Sequence, residues 1–436
     1  MKRRLGSTGL EVSPLGFGCY RVDEHSPAQR EALLAALDRG VNLIDTSTNY
    51  TDGSSERLVG QVLAERGREG LVVVSKIGYV QGSNLRLARQ RKLQGKPFPE
   101  VVEYSPGCWH CIHPEFLEDQ LQRSLDRLGL ERLDVCLLHN PEYFLMEAAH
   151  RGQDVKEEFY RRLKASFAYL ESQVAAGRIG CYGVSSNTVA DPPSDPESTS
   201  LPRMLEQAGE GFRVLQLPMN LIESEGALAR HHAGKSVLEL AGEANLGVLI
   251  NRPLNAFKGR SLLRLADPPE LGAGPESLSE LLERLRSLES PDTVQMAGEL
   301  ERVAASPLSY SDWTEVEQNQ LWPYTLDTLD RLAERMERSW RERYLEAFHA
   351  VLLEIRRLSA RISRNRNQVL HEKLPARPGA SLSQKALWTV LGTPGVTTVL
   401  VGMRQQRYVE DACPVMEWEP PPDPLAVYRS LATQEQ

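Results

Sequence analysis

The sequence predicts an α/β protein: a (β/α)8 TIM barrel with an N-terminal hairpin and a large helical insertion between strands 7 and 8. Three observations carry this prediction. Eight short apolar runs alternate with amphipathic helical stretches. The runs are near-continuously apolar, as strands covered on both faces must be. The competing arrangement, a doubly wound open sheet, lacks its G-x-G-x-x-G turn after the first strand.

Taken in order, the predicted strands are VSPLGFG (12–18), VNLID (41–45), LVVVSK (71–76), LDVCLLH (133–139), IGCYGVS (179–185), VLQLP (214–218), LGVLI (246–250) and VTTVLVG (396–402). Helical patterns fall at 28–39, 54–66, 114–128, 155–176, 201–210, 236–244 and 382–391. Pro114 suits a first helical position, and Gly40, Gly129 and Gly177 stand where helix C-termini favour glycine. The opening RRLGSTGLEV predicts a hairpin around Ser7 and Gly9, capping the barrel bottom.

Two stretches exceed the plain repeat. Residues 77–113 form a long link between strand 3 and its helix. Residues 257–380 lie where a short loop and one helix would serve. That insertion has helical periodicity in two sets, Leu329, Leu332, Met336, Trp340 and Phe348, Val351, Leu352, Ile355, Leu358, Ile362. Its arginines, interleaved with glutamates, read as a solvated helix face rather than a polyanion site. The expected division is therefore a barrel of strands 1–7 over residues 1–256, the insertion at 257–380, barrel completion at 381–412 and a surface-wrapping tail at 413–436.

Composition narrows the function. The chain has 436 residues, a net charge of -8, 41% hydrophobic residues and 25% charged residues. This balance argues against a nucleic-acid partner. No apolar run approaches the roughly 18 residues of a membrane span. The basic N-terminus has no apolar signal region, and six scattered cysteines fit a reducing compartment, so a cytoplasmic location is expected.

In such a barrel, chemistry collects at the C-terminal ends of the strands. Strand 2 ends in Asp45, with Tyr50 in the following loop. Strand 3 ends in Lys76 and strand 4 in His139. An acid, a phenol, an amine and an imidazole on neighbouring strand ends form a proton-transfer set. A tyrosine is a poor acid at neutral pH, with an ordinary pKa of about 10. An adjacent ammonium favours its phenolate and is expected to lower that value. Asp45 would hold the lysine charged, and His139 would donate to a carbonyl oxygen. The set suits carbonyl reduction with Tyr50 giving the proton.

The stretches LGFG (15–18), NLIDTSTNYTDGSSERLVG (42–60), VVVSKIG (72–78), SLDRLGLERLDVCLLHNP (124–141), GRIGCYGVSSN (177–187), QLPMNLIE (216–223) and VLVGMR (399–404) carry a family likeness. Through them the chain resembles the aldo-keto reductase family over residues 1–256 and 381–412. By that resemblance Asp45, Tyr50, Lys76 and His139 are the catalytic tetrad. The resemblance also implies an extended NADP(H), with NAD(H) less favoured. Ser185, Ser186, Asn187 and Gln216 would lie near the nicotinamide amide. Gly402, Met403 and Arg404 match the phosphate-binding loop, with Arg404 toward a 2′-phosphate. Gln405, Arg407, Glu410 and Asp411 follow at the adenosine end. Gly18 would allow close cofactor approach.

The chain departs from the family pattern in places. Many members carry aromatic-Ser-Pro-Leu after strand 7, with the ring stacked on the nicotinamide. This chain has Asn251, Arg252, Pro253 and Leu254, followed by Asn255. Arg252 and Asn255 are then expected to face the pyrophosphate. The asparagine that often closes the adenine motif is Ala412.

The implied substrate is a small carbonyl or alcohol, including sugar-like molecules, with Tyr20 and Trp109 as pocket walls beside Tyr143 and Phe144. Residues 108–113, CWHCIH, hold four soft ligands but lack the second pair that structural zinc uses. Two rival readings stand beside the enzyme: a cofactor-binding interaction module of the same fold, and a metal-dependent barrel hydrolase. The insertion offers a surface for a lid, a partner or a homo-oligomer.

Overall fold

The computed structural model describes residues 2–258, 261–374 and 377–432. The chain divides into two compact units, Met1–Phe257 with Ser383–Gln436, and Lys258–Leu382.

The first unit is built on a closed parallel barrel. Its strands are β1 (Leu15–Gly18), β2 (Leu43–Asp45), β3 (Val72–Ile77), β4 (Leu133–His139), β5 (Ile179–Ser185), β6 (Phe212–Pro218), β7 (Gly247–Asn251) and β8 (Thr398–Val401). They pair in sequence order, and β8 closes on β1 with Val399 opposite Leu15. The helices around them include α1 (Pro27–Asp38), α2 (Ser54–Arg66), α3 (Pro114–Leu128), α4 (Lys156–Ala175), α5 (Leu201–Gln207), α6 (Val237–Glu243), α7 (Leu382–Gly392) and α8 (Gln406–Ala412). The barrel interior is a layer of Leu43, Val74, Val135, Leu137, Val214, Leu249 and Leu400, all buried. Removing these from water is the main drive for closing the ring.

The N-terminal hairpin pairs Arg3–Arg4 with Glu11–Val12. Leu5 plugs the interior layer from below. Gly6 has φ +50°, and a Cβ there would fall 2.3 Å from the Gly247 nitrogen, so only glycine allows the close approach.

Three features of this first unit differ from the sequence reading. The link at 77–113 is a folded unit: helix Gly82–Leu93 beside an antiparallel sheet of Tyr79–Val80, Cys108–His110 and Val102–Ser105. These strands are too short for a two-residue period to show, and the helix buries only Asn84, Leu85 and Ala88. The helix expected to 210 ends at Gln207. The tail carries helix Pro424–Ala432, whose Tyr428 is buried and reaches the Thr393 hydroxyl at 2.9 Å.

The second unit is helical. Leu282, Leu285, Leu300, Trp313, Leu329, Tyr344, Phe348, Val351 and Ile355 form its core. The long helix Arg338–Lys373 carries the predicted stripe from Phe348. The stripe from Leu329 to Trp340 is not continuous: helix Trp322–Arg331 ends before Leu332, and extended Glu337 (ψ 141°) separates it from the next.

Candidate active site

Strand register brings the charged strand ends together. Asp45 lies opposite Gly18 on one side and Val74 on the other. Lys76 pairs with Leu137, and His139 with Ser185. Four neighbouring strands thus deliver side chains from their C-terminal ends to one rim.

There the Lys76 ammonium donates to Asp45 Oδ2 at 2.7 Å, to the Thr46 carbonyl at 2.8 Å and to the Tyr50 hydroxyl at 3.2 Å. Three donors thus meet three acceptors, the full capacity of an ammonium. Lys76 is 0% exposed and Asp45 4%. Burial alone would discharge this lysine. The carboxylate of Asp45 and the phenol of Tyr50 outweigh that penalty and hold its pKa above the ordinary value. The Gln216 amide donates to Asp45 Oδ1 at 2.9 Å and accepts from Ser185 at 3.0 Å. Asp45 is therefore fixed from both sides.

The expected lowering of the Tyr50 pKa does not emerge. Burial raises it, Lys76 lowers it and Asp45 raises it again, with a net shift upward. The carboxylate that orients the lysine also cancels much of its field at the phenol. In the free protein Tyr50 is a neutral, hydrogen-bonded acid.

His139 is held well below the ordinary histidine range, first by burial and then by Lys76, so its imidazole is neutral. Its Nδ1 lies 3.0 Å from the Ser47 hydroxyl. When Ser47 donates there, Nε2 carries the proton and His139 becomes a donor. Ser47 has competing acceptors in Asn49 Oδ1 at 2.7 Å and the Lys76 carbonyl at 3.2 Å. The Tyr50 and His139 rings meet edge-on, 5.8 Å apart.

Tyr50 opens a strained turn. Thr51 and Asp52 take φ of 48° and 52° and Gly53 takes 83°. A β-branched residue rarely adopts that conformation. Asp52 anchors the turn by accepting from the Ser83 backbone at 2.8 Å and its hydroxyl at 2.6 Å. Beside it lies a cleft of about 400 Å³, lined by Tyr20, Arg21, Asp23, Asn49, Tyr50, Thr51 and Gln81.

A profile of the aldo/keto reductase family matches residues 14–306. The chain belongs to this family. It is similar to the NADH-specific methylglyoxal reductase of Escherichia coli (strain K12), 31% identical over 144 residues, which are 31% of this chain and 40% of that one. It is also similar to the D-threo-aldose 1-dehydrogenase of a Pseudomonas species, 24% identical over 299 residues, or 65% of this chain and 78% of that one. The chain spans 40% and 51% of the length of two of the curated relatives that it matches. Among solved structures, an aldo-keto reductase from Bacillus halodurans in holo form superposes with a TM-score of 0.56 at 16% identity, covering 99% and 95% of the two chains. A glycerol dehydrogenase from Gluconobacter oxydans gives 0.53 at 17%, with the same coverage. These structures share the barrel fold.

The remaining residues that family resemblance singles out are distributed along the same rim. Ser185 bonds Gln216, and the Ser186 hydroxyl pairs with Thr199 at 2.9 Å. The Asn187 backbone donates to Glu142 at 2.6 Å. Gly18 faces the Val401 carbonyl, 3.4 Å from where a Cβ would sit. Gly402 is open, Met403 is buried, and Arg404 is half-buried beside Arg21. Burial and that like charge lower the Arg404 pKa, a placement that an anion would relieve.

Other positions are already engaged. Arg252 (φ 52°) pairs with Glu223 at 3.0 Å and lies over the Phe257 ring. Pro253 is buried and Leu254 half-buried. Exposed Arg407 folds onto Tyr408. Glu410 lies 3.9 Å from Arg39, and Asp411 accepts from Ser383.

Trp109 departs from its expected place. It is 8% exposed, with Arg89 and Lys92 each 5.5 Å from its ring, and is not among the cleft-lining residues. Strand alternation is the reason: His110, its neighbour, takes the site-facing side, stacked on Tyr143 and bonded to the His139 carbonyl at 2.7 Å. The other ligands of CWHCIH also turn to separate tasks. Cys111 reaches the Pro99 carbonyl, and His113 caps α3.

Ser47, Gln81 and Glu142 are not singled out individually by the sequence, although 79–113 and 142–150 are segments expected to wall the pocket. Glu142 follows directly on LLHNP, and its signal was a carboxylate three residues past a strand-end histidine. A nicotinamide dinucleotide fits this rim on two grounds. The Arg21–Arg404 pair suits phosphate. Three buried polar atoms there, Glu142 Oε2, Asn251 Oδ1 and Arg252 Nε, have no hydrogen-bond partner among the described residues.

Proposed function

We propose that this chain is an NADP(H)-dependent oxidoreductase that interconverts small carbonyl compounds and alcohols, with Tyr50 as general acid and base. The observation that carries this reading is the Asp45–Lys76–Tyr50 relay, which ends in a phenol on the wall of an open cleft. Family membership supports it.

Bound cofactor would supply the hydride. Arg404 and Arg21 would hold its phosphates, and Ser185, Ser186 and Asn187 its amide end. Tyr50 meets the substrate oxygen and gives it a proton as negative charge develops there. The phenolate left behind is stabilised by Lys76, whose charge Asp45 and the Thr46 carbonyl maintain. Neutral His139, in the tautomer that carries its proton on Nε2 when Ser47 donates to Nδ1, would orient the carbonyl without competing for its proton.

The cleft also suggests a substrate class. Tyr20 is 61% exposed and offers a flat apolar face, while Asn49, Gln81 and Asp23 offer amide and carboxylate groups. That mixture suits hydroxylated carbonyls such as aldoses. Arg404 favours NADP(H) through a 2′-phosphate, although one relative uses NADH. The test mixes protein with NADPH or NADH and a panel of aldehydes, ketones and aldoses, and follows nicotinamide absorbance. Turnover with NADPH supports the reading. Tight cofactor binding without turnover on any member would contradict it.

A further inference from the structure

Glu142 is a buried carboxyl that the proposed chemistry leaves unused. It is 1% exposed and lies three residues past His139. Its Oε1 accepts from the Asn187 backbone at 2.6 Å. Its Oε2 has no hydrogen-bond partner among the described residues. Either protonation state is poorly met: an ionised carboxylate has only the nearby Ser186 hydroxyl within reach of its second oxygen, and a neutral acid has a hydroxyl without an acceptor. A fully buried structural carboxyl is normally satisfied on both oxygens.

Burial raises its pKa to about 7, while the backbone amides of Asn187 and of Glu142 itself and the nearby Ser186 hydroxyl pull the other way, and Asp191 adds a smaller push upward. Three titratable groups face it. Asp191 lies on the loop after β5, Tyr79 on the short sheet, and Tyr143 is its neighbour in sequence. The tyrosines are shifted upward and stay neutral. His110 titrates near pH 4, and His139 is also depressed. Asp191 is raised from the ordinary aspartate value. Among these shifted groups Glu142 alone is placed at about 7.

We propose that Glu142 is a positioning residue that couples pH to the redox preference of the bound cofactor. The inference rests on the reading that a nicotinamide lies beside the Ser185–Asn187 turn. An oxidised nicotinamide ring is a cation, and the reduced ring is neutral. An ionised Glu142 behind Asn187 therefore stabilises the oxidised form. A protonated Glu142 does not discriminate between them. By reciprocity, binding the oxidised form lowers the Glu142 pKa and releases a proton.

The test measures dissociation constants for NADP⁺ and NADPH by fluorescence titration from pH 5.5 to 9. It uses the full chain and the variant Glu142→Gln, which keeps an acceptor for Asn187. From pH 6 to 8 the wild-type ratio Kd(NADP⁺)/Kd(NADPH) should fall roughly tenfold. That is the effect of one charge at a distance on the order of 10 Å in an effective dielectric of about 20. The ratio should stay flat in Glu142→Gln. A flat wild-type ratio, or an equal slope in the variant, overturns the inference. Should the variant fail to fold, calorimetry of the wild type in buffers of differing ionisation enthalpy decides. Proton release near pH 7 with NADP⁺ but not NADPH supports the proposal, and no release overturns it. Failure to bind either nucleotide would sink the cofactor reading, and this inference with it. Binding without pH dependence would sink this inference alone.

Discussion

Two ion pairs with a buried carboxylate in the barrel unit differ in kind. Glu56 on α2 is 0% exposed and takes Arg127 Nε at 2.7 Å, the Ser75 hydroxyl at 2.6 Å and the Ser124 hydroxyl. The partners of Glu56 are all side chains between α2, α3 and β3, and Arg127 Nη2 lies 2.6 Å from the same carboxylate. Gly53 leaves room for it, since a Cβ there would meet the Arg127 side chain at 2.9 Å. Asp45 and Lys76 are more deeply buried than Arg127, whose side chain is 17% exposed, and their third partner is Tyr50, which opens on the cleft. A buried pair whose donors and acceptors are all internal has only structure to serve. One that spends a donor on a phenol at a cleft can move a proton.

The comparison predicts opposite failures. The largest expected effect is at the relay. Tyr50→Phe should lower kcat by about 10²–10⁴-fold, the usual worth of a positioned acid, with the thermal midpoint nearly unchanged. Glu56→Ala should do the reverse. It strands Arg127 and costs about 3–5 kcal/mol in chemical denaturation, while turnover per folded molecule stays within about twofold. Lys76→Met should show both failures, because it leaves Asp45 buried without its cation.

A pH scan sharpens the contrast. Glu142 has a folded pKa of about 7, above the ordinary 4.5. A raised value means that its stabilising contribution is full below pH 4.5 and is lost as pH rises through 7. Wild-type stability should therefore fall by roughly 3 kcal/mol from pH 4.5 to 8 at this site, and Glu142→Gln should remove that decline. The smallest effect is expected for Ser47→Ala. Loss of the tautomer-fixing contact should reduce kcat by about three- to tenfold with stability unchanged, measured by steady-state kinetics.

Much of this was legible in the chain. The barrel strands show as apolar runs because a parallel strand covered on both faces needs no alternation. Asp45, Lys76 and His139 stand out because each ends such a run with a charge or an imidazole. What could not be read has physical causes. The balance of fields on Tyr50 depends on burial and on how far Asp45 cancels Lys76, which spacing along the chain does not encode. Trp109 departs from its expected pocket role because a three-residue strand gives no period from which to choose a side. Glu142 was hidden for the opposite reason: a lone acid in a loop is commonly solvated, and its burial comes from the loop after β5 folding over it.

The most direct measurement compares Tyr50→Phe with wild type in single turnover with NADPH and an aldehyde that the wild type reduces, alongside NADPH affinity by fluorescence. The account predicts unchanged nucleotide affinity and a chemical step slowed at least a hundredfold, about 10² or more. A variant that binds NADPH equally well and reduces the aldehyde at the wild-type rate would contradict the assignment of the phenol as the proton donor.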